Sequence, residues 1–362
     1  MALRKKPSPI PFTALSALLL LAALFLFFQA HGARAPSPLQ GTPSPTPGPT
    51  GIGLYFTRPE GSGASVQSAG IEAALSTSIG SAERTVEVAA YHLDLPSIQE
   101  VLTRSHRRGV TVRVVTESEN ILEPAVTALQ AAGIPVLGDR REGLMHHKFI
   151  VIDRRQVWTG SMNLTWNDLN RNDNNLIRVD SEQLAEDYRV EFDEMWEDRF
   201  GADSIVNTPY PHLALDGVPF EVYFAPDDGV AARVVPWIRS AAGRIDFLAF
   251  SFTSDEIAQA IVDRAAAGVE VRGVMDASQA EGSGAEYGRL RLAGIEVRLD
   301  GNPGLMHHKV IVVDGQAVLT GSYNFSRSAE ERNDENALLI FDPGVAFWFG
   351  QEFERVFELA RP

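Results

Sequence analysis

Two stretches of the 362-residue chain carry the same reactive side chains at the same spacing. His146-His147-Lys148, an apolar run to Ile152, Asp153 and Gly160-Ser161-Met162-Asn163 recur as His307-His308-Lys309, a run to Val313, Asp314 and Gly321-Ser322-Tyr323-Asn324. Both 307 − 146 and 309 − 148 give 161, as do the Asp and Asn pairs, so no insertion separates the copies. A short β-branched run reads as a buried strand whose side chains alternate between faces. His146 and Lys148 then share one face, His147 takes the other, and Asp153 falls out of phase with the first two. Imidazole and ammonium on one face make a place for a phosphate. The Gly-Ser turn brings the Ser161 hydroxyl and the Asn163 amide toward the same oxygens, as Ser322 and Asn324 do in the second copy. Apart from Lys5 and Lys6, Lys148 and Lys309 are the only lysines, and Arg serves everywhere else. A compact ammonium is a point charge for a phosphoryl oxygen where a planar guanidinium would not fit.

A phosphodiester is a poor electrophile at neutral pH. Its cleavage needs a nucleophile, an acid for the departing oxygen and positive charge on the other oxygens. Two histidines near the ordinary pKa of about 6.5 supply the first two, one neutral and one protonated. Lys148, Lys309, Asn163 and Asn324, helped by Ser161 and Ser322, are expected to hold the charge that develops on the phosphoryl oxygens. Asp153 and Asp314 are expected to act structurally, in a turn or at an interface. His147 and His308 face away from the first pair, and no Cys or clustered acid completes a tetrahedral set, so neither a metal nor another cofactor is expected. His92, His106 and His212 have no counterpart in the other copy and read as surface or packed residues; Trp166 is placed at the rim of the groove.

The pattern His-x-Lys, four residues, Asp, six residues, Gly-Ser-x-Asn, present twice, resembles the phospholipase D superfamily of HKD phosphodiesterases, and the likeness runs from about residue 51 to the C-terminus. The second copy, with Asn333-Asp334-Glu335-Asn336, is similar to the branch that holds small bacterial endonucleases and mitochondrial cardiolipin hydrolases. The resemblance implies that His146 attacks phosphorus to give a phosphohistidine, and that His307 protonates the departing alcohol and then activates water. It also implies that Glu335 orients a motif imidazole. The matching first-half position is Asn174, with Asp173 beside it as the other candidate. Read within its own half, Glu335 makes His307 the more readily protonated imidazole. A phospholipid is the expected substrate, with DNA or RNA as the alternative; an alcohol in place of water would give phosphatidyl transfer.

The elements that must position these residues alternate between strand and helix. Helix is expected over 65–78, 98–108, 123–132 and 182–200, and strand over 85–91, 110–115, 149–152 and 175–179. Strands at 221–224, 245–250 and 269–272 repeat the order, and Gly109 and Gly268 close matching helices. This is an α/β chain with mostly parallel, two-face-covered sheets. Two similar α/β/α halves, 51–200 and 220–362 joined by a connector at 201–219, are expected to pack pseudo-symmetrically with one site at their interface, so a monomer suffices. The apolar run 12–28 after Arg4-Lys5-Lys6, with Ala33-Arg34-Ala35 following, reads as a signal peptide or membrane anchor over 1–35. A Pro-rich linker follows over 36–50. Both readings of the leader put the body outside the cytoplasm. Removing the four leader cations from 32 leaves 28 against 47 acids, a net charge of −19, which disfavours a long polyanion as substrate. Arg104, Arg107, Arg108, Arg140, Arg141, Arg154 and Arg155 form a local basic excess that favours nucleic acid. Cysteine is absent, so no disulfide is needed in an oxidising space.

Overall fold

The apolar, β-branched runs become strands and the amphipathic stretches between them helices, in the same order twice. The computed structural model describes residues 51–59 and 64–361, so the expected leader at 1–35 and linker at 36–50 lie outside the described residues. The first sheet holds β1 (Ile52–Phe56), β2 (Thr85–Ala90), β3 (Thr111–Thr116), β4 (Val136–Gly138), β5 (Lys148–Ile152), β6 (Gln156–Gly160) and β7 (Asn175–Asp180), ordered β1-β7-β6-β5-β2-β3-β4. The second holds β8 (His212–Leu215), β9 (Val218–Ala225), β10 (Arg244–Ala249), β11 (Glu270–Met275), β12 (Glu296–Leu299), β13 (Lys309–Val313), β14 (Ala317–Gly321) and β15 (Glu335–Ile340), ordered β12-β11-β10-β13-β14-β15-β9-β8. β8 lies within the stretch read as a connector and adds an edge strand to the second sheet.

The sheets are mixed, which corrects the expectation of mostly parallel pairing. Among the described strands only β2-β3-β4 and β10-β11-β12, linked by helical crossovers, pair in parallel. β5 and β6 are joined by the three residues Asp153 to Arg155, a connection that permits only an antiparallel pair. β13 and β14 repeat this. The helix expected over 182–200 ends at Trp196, and Asp198 beyond it adopts a left-handed φ of 66°.

Strand alternation sorts the motif residues between two cores. Phe149 and Val151 point into an apolar cluster shared by both halves, with Tyr188, Phe192, Phe224, Val310, Val312, Phe349 and Phe353. Ile150 and Ile152 point the other way, into a cluster with Ile71, Leu75 and Ile98 on the outer face of the first sheet. Ile311 and Val313 do the same in the second half. The closing helices Glu182–Trp196 and Pro343–Leu359, capped by the Ser181 and Asp342 side chains, contribute residues to the shared cluster. The halves are therefore joined through a core of their own, and together they make one compact unit.

Candidate active site between the halves

Each motif strand is led in by backbone bonds to the opposite half. The His146 N–H donates to the Asp334 carbonyl at 3.0 Å and the Asp334 N–H to the Leu144 carbonyl at 2.9 Å; His307 to Asp173 and Asp173 to Leu305 mirror this at 2.8 Å each. The turn after the second motif strand is equally constrained. Gly160 and Gly321 both have φ of 147°, and a Cβ there would meet the carbonyl oxygen of Asn175 at 2.3 Å or of Asn336 at 2.2 Å. Only glycine lets these strands pass so closely. That approach carries residues 173–175 and 334–336 under the imidazoles.

The pairing crosses the halves. His146 Nδ1 lies 2.8 Å from both oxygens of Glu335, and His307 Nδ1 lies 2.9 Å from Asn174 Oδ1. Glu335 thus serves His146 and not the imidazole of its own half, which overturns the expectation that it makes His307 the more readily protonated. The reason is topological: the lead-in of each motif bonds to the far half's turn, so the residue after that turn reaches the far half's imidazole. Each ring stacks edge-on against an aromatic, Tyr91 at 5.0 Å for His146 and Phe250 at 4.7 Å for His307. Lys148 and Lys309 each donate to the carbonyl of their own motif His at 2.7 Å and lie over the same aromatic rings, at 5.0 and 4.8 Å. Both ammonium groups are buried.

Burial, then the charges of Lys148 and Lys309, pull both motif imidazoles, His146 and His307, well below the ordinary histidine range, so neither rests near its ordinary value as the sequence suggested. The crossed bonds of His146 to Glu335 and of His307 to Asn174 bring the two motifs, with their buried lysines, to one junction. Burial brings Lys148 down to about 8, against the raising influence of Glu335 and Asp168, and takes Lys309 well below its ordinary value, helped by the Lys148 charge. Glu335 is pushed up to about 7 by burial. With Nδ1–H donating to the ionised Glu335 carboxylate, a neutral His146 keeps the Nε2 lone pair free. An anion entering the pocket would reverse the trend for the cationic groups.

Other expected site residues fall in two sets. Asn163 and Asn324 each keep a buried side-chain oxygen, an acceptor, that no protein group bonds. Ser161 and Ser322, expected on the phosphate, instead support the imidazole partners. The Ser161 hydroxyl donates to Asn174 Oδ1 at 3.0 Å, and Ser322 hydrogen-bonds Glu335 while accepting the Asn336 N–H at 3.0 Å. The reason is their full burial beneath the strand crossing. Asp173 does not replace the missing carboxylate. Its oxygens meet Arg355 at 2.5 Å and Asn302 Nδ2 at 2.9 Å, and only its backbone touches the motif. Asp153 and Asp314 are structural: Asp153 accepts the N–H groups of Glu83, Arg84 and Thr85, and Asp314 those of Ala242, Gly243 and Arg244, tying each hairpin to the start of the neighbouring strand. Trp166 stands at the surface, 44 % exposed, with the Arg171 guanidinium stacked 4.9 Å from its ring.

Three features escaped the sequence reading. His147 and His308, on the opposite strand face as expected, bond Glu191 at 2.8 Å and Glu352 at 3.2 Å, and reach across to Asn336 and Asn175 at 3.2 Å. These two sets brace the motif strands against the closing helices. The signal was available, since 352 − 191 is again 161. Tyr91 and Phe250 were read only as strand ends. Asp168, 3.9 Å from His307 Nδ1, has Ala329 as its counterpart and gave no repeated signal at all.

A duplicated α/β half with one buried polar cluster at the junction defines a two-domain fold that is also found in the crystal structure of phosphatidylserine synthase from Haemophilus influenzae Rd KW20. That structure covers 85% of this chain and 86% of its own with a TM-score of 0.64 at 14% identity, a likeness of fold alone. Residues 75–196 and 234–357 each match the family described as cardiolipin synthase, PLD-like domain, and the chain belongs to this phospholipase D superfamily. Curated relatives include the mitochondrial cardiolipin hydrolase of Homo sapiens, 36% identical over 135 residues, which are 37% of this chain and 54% of that protein. The phospholipase D of Rickettsia bellii (strain RML369-C) is 35% identical over 123 residues, 34% of this chain and 61% of that protein. The chain thus spans little more than half the length of these relatives.

Proposed function

We propose that this chain is a phospholipase D-type phosphodiesterase that hydrolyses a phospholipid phosphodiester through a phosphohistidine on His146. The single observation that carries the reading is the crossed pair His146–Glu335 and His307–Asn174, with both buried lysines beside it. In the first displacement the free Nε2 lone pair of His146 attacks phosphorus, the bond from phosphorus to the head-group oxygen breaks, and His307 delivers its proton to that oxygen. Lys148 and Lys309 hold the other phosphoryl oxygens, with Asn163 and Asn324 beside them. In the second, water attacks phosphorus, His307 takes its proton and the P–N bond to His146 breaks. Glu335 stabilises the positive imidazole that forms in between. The acid receives its proton as the substrate anion enters, because the anion offsets the lysine charges that otherwise depress His307.

The local basic excess that favoured nucleic acid is largely consumed within the protein. Arg104 pairs with Glu100, Arg140 with Asp198, Arg141 with Asp334 and Arg155 with Glu182, while Arg108 donates to the Gly80 and Ala82 carbonyls. With a body charge of −19, this supports a lipid over a polyanion. The names of the relatives, cardiolipin hydrolase and phospholipase D, point the same way. Export rests on the apolar run 12–28 behind Arg4-Lys5-Lys6; recovery of the full chain with cytoplasmic proteins on fractionation would overturn it.

The test offers the full chain, with chelator present, fluorescent phosphatidylcholine, cardiolipin and single-stranded DNA in separate reactions. Cleavage of a lipid is expected. Cleavage of DNA alone would overturn the substrate, and loss of all activity to chelator would overturn the metal-free mechanism. Acid quench should trap the adduct on the peptide bearing His146, and both His146→Asn and His307→Asn should abolish turnover; an adduct on His307 would reverse the roles.

A further inference from the structure

The two imidazoles are treated unequally. His146 has a carboxylate on Nδ1, whereas His307 has the neutral amide of Asn174. Behind that amide stands Asp168, buried, with Oδ2 3.9 Å from His307 Nδ1. We infer that Asp168 is the counter-charge of His307, a positioning residue that replaces from one layer behind the carboxylate that Asn174 lacks. This rests on the phosphodiesterase reading above and deepens it.

The geometry argues for the assignment at both ends. Asp168 is held rigidly: its Oδ2 accepts the Asn163 N–H at 2.6 Å, its Oδ1 accepts Asn172 Nδ2 at 2.5 Å, and its carbonyl accepts Asn174 Nδ2 at 3.3 Å. It therefore orients the same amide that receives His307 Nδ1–H. Asn174 Oδ1 already accepts the Ser161 hydroxyl, so it can only be an acceptor toward the ring, and the neutral His307 carries its proton on Nδ1. Nε2 is then the atom that takes up and releases the catalytic proton. The largest charges on His307, those of Lys309, Lys148, His146 and His308, all oppose a proton there; among the described residues Asp168 is the carboxylate that comes within ion-pair distance of its ring, at 3.9 Å.

A purely local role for Asp168 is answered by the other half. Asp168 sits in the first turn of the helix Trp166–Asn170, whose cap Thr165 accepts the Asp168 N–H. The mirrored helix Arg327–Glu331 closes on Ser326 in the same way with Ala329 at that place, so the turn itself needs no carboxylate. The two halves have exchanged solutions: Asp168 with Asn174 in one, Ala329 with Glu335 in the other.

The test compares two lipids that differ only in the departing group, phosphatidylcholine and phosphatidyl-p-nitrophenol, on the full chain. Choline leaves only with a proton, whereas nitrophenolate departs without one, so a fault in the acid shows on the first alone. Asp168→Asn should lower kcat/KM, which reports the steps up to loss of the head group, on phosphatidylcholine tenfold or more, move the alkaline limb of its pH profile to lower pH, and change kcat/KM on the nitrophenyl ester less than about threefold. Asp168→Ala with Asn174→Glu, which copies the second half's arrangement, should restore phosphatidylcholine turnover. Equal loss on both esters, no loss on either, or a folded double variant without recovery would overturn the inference while leaving the phosphodiesterase reading intact. A wild-type chain that cleaves neither ester would overturn the reading, and the inference with it.

Discussion

Replacing Glu335 by Gln keeps shape and removes charge, and its cost can be worked from the site. The carboxylate is fully buried and meets His146 Nδ1 with both oxygens at 2.8 Å. A hydrogen bond to a charged group contributes about 1.5–3 kcal/mol and a neutral one about 0.5–1.5. The difference grows when His146 becomes cationic on attacking phosphorus, so about 1.4–2.8 kcal/mol should be lost from the transition state. At about 1.4 kcal/mol per tenfold, kcat should fall about 10- to 100-fold. A Gln that turns its amide nitrogen toward Nδ1 adds to this, since it places the imidazole proton on Nε2 and blocks the attacking lone pair. KM should not rise, because removing a negative charge leaves Lys148 and Lys309 at least as attractive to the substrate anion. Steady-state kinetics on a lipid substrate, with single-turnover acid quench to follow formation of the phosphohistidine, separates the two effects. A folded variant with kcat within about threefold of wild type, or one that loses only KM, would refute the claim that the carboxylate of one half serves the nucleophile of the other.

Lys148 sits at about 8 in the free protein and so loses its charge as pH rises through that value. Anion affinity falls with it, and kcat/KM should decline above about pH 8 through KM, while Lys148 adds no fall of its own to kcat because bound phosphate keeps the ammonium charged. A profile flat to about pH 10, the ordinary lysine value, would contradict the burial argument. Phe349, 1 % exposed in the shared core and edge-on to Phe56 at 5.1 Å, should destabilise the chain by about 3–5 kcal/mol when replaced by Ala, read from denaturant midpoints. A loss under about 1 kcal/mol would mean that the halves do not rely on that core.

What the chain made legible was whatever repeats. The 161-residue offset marked the motif, and the period of two within it put Lys148 with Ile150 and Ile152 on one face and His147, Phe149 and Val151 on the other, as the two separate cores bear out. The antiparallel hairpins were also readable, since three residues between Ile152 and Gln156 leave no room for a crossover. The partner of each imidazole was not. His146 and Glu335 are 189 residues apart, and nothing in a linear pattern says whether the residue after a motif turn faces its own half or the other. The serines misled for a related reason: a hydroxyl next to a phosphate pocket and a hydroxyl one layer beneath it look alike until the strand crossing at Gly160 is known.

The breaks in the repeat then carry the chemistry that the repeat itself does not. Were both halves identical, each imidazole would have the same partner and either could attack. Instead the first-half histidine has a carboxylate in direct contact with Nδ1, suited to a ring that must bear positive charge through a covalent intermediate. The second-half histidine has an amide that fixes its tautomer and a carboxylate one step farther off, enough to favour a proton without holding it against release. An acid that must give its proton up and take another back within each turnover needs that weaker hold. On the proposed mechanism the direction of attack rests on two substitutions, Asn174 for a carboxylate and Asp168 for Ala, and exchanging them between halves should exchange the roles of the two histidines.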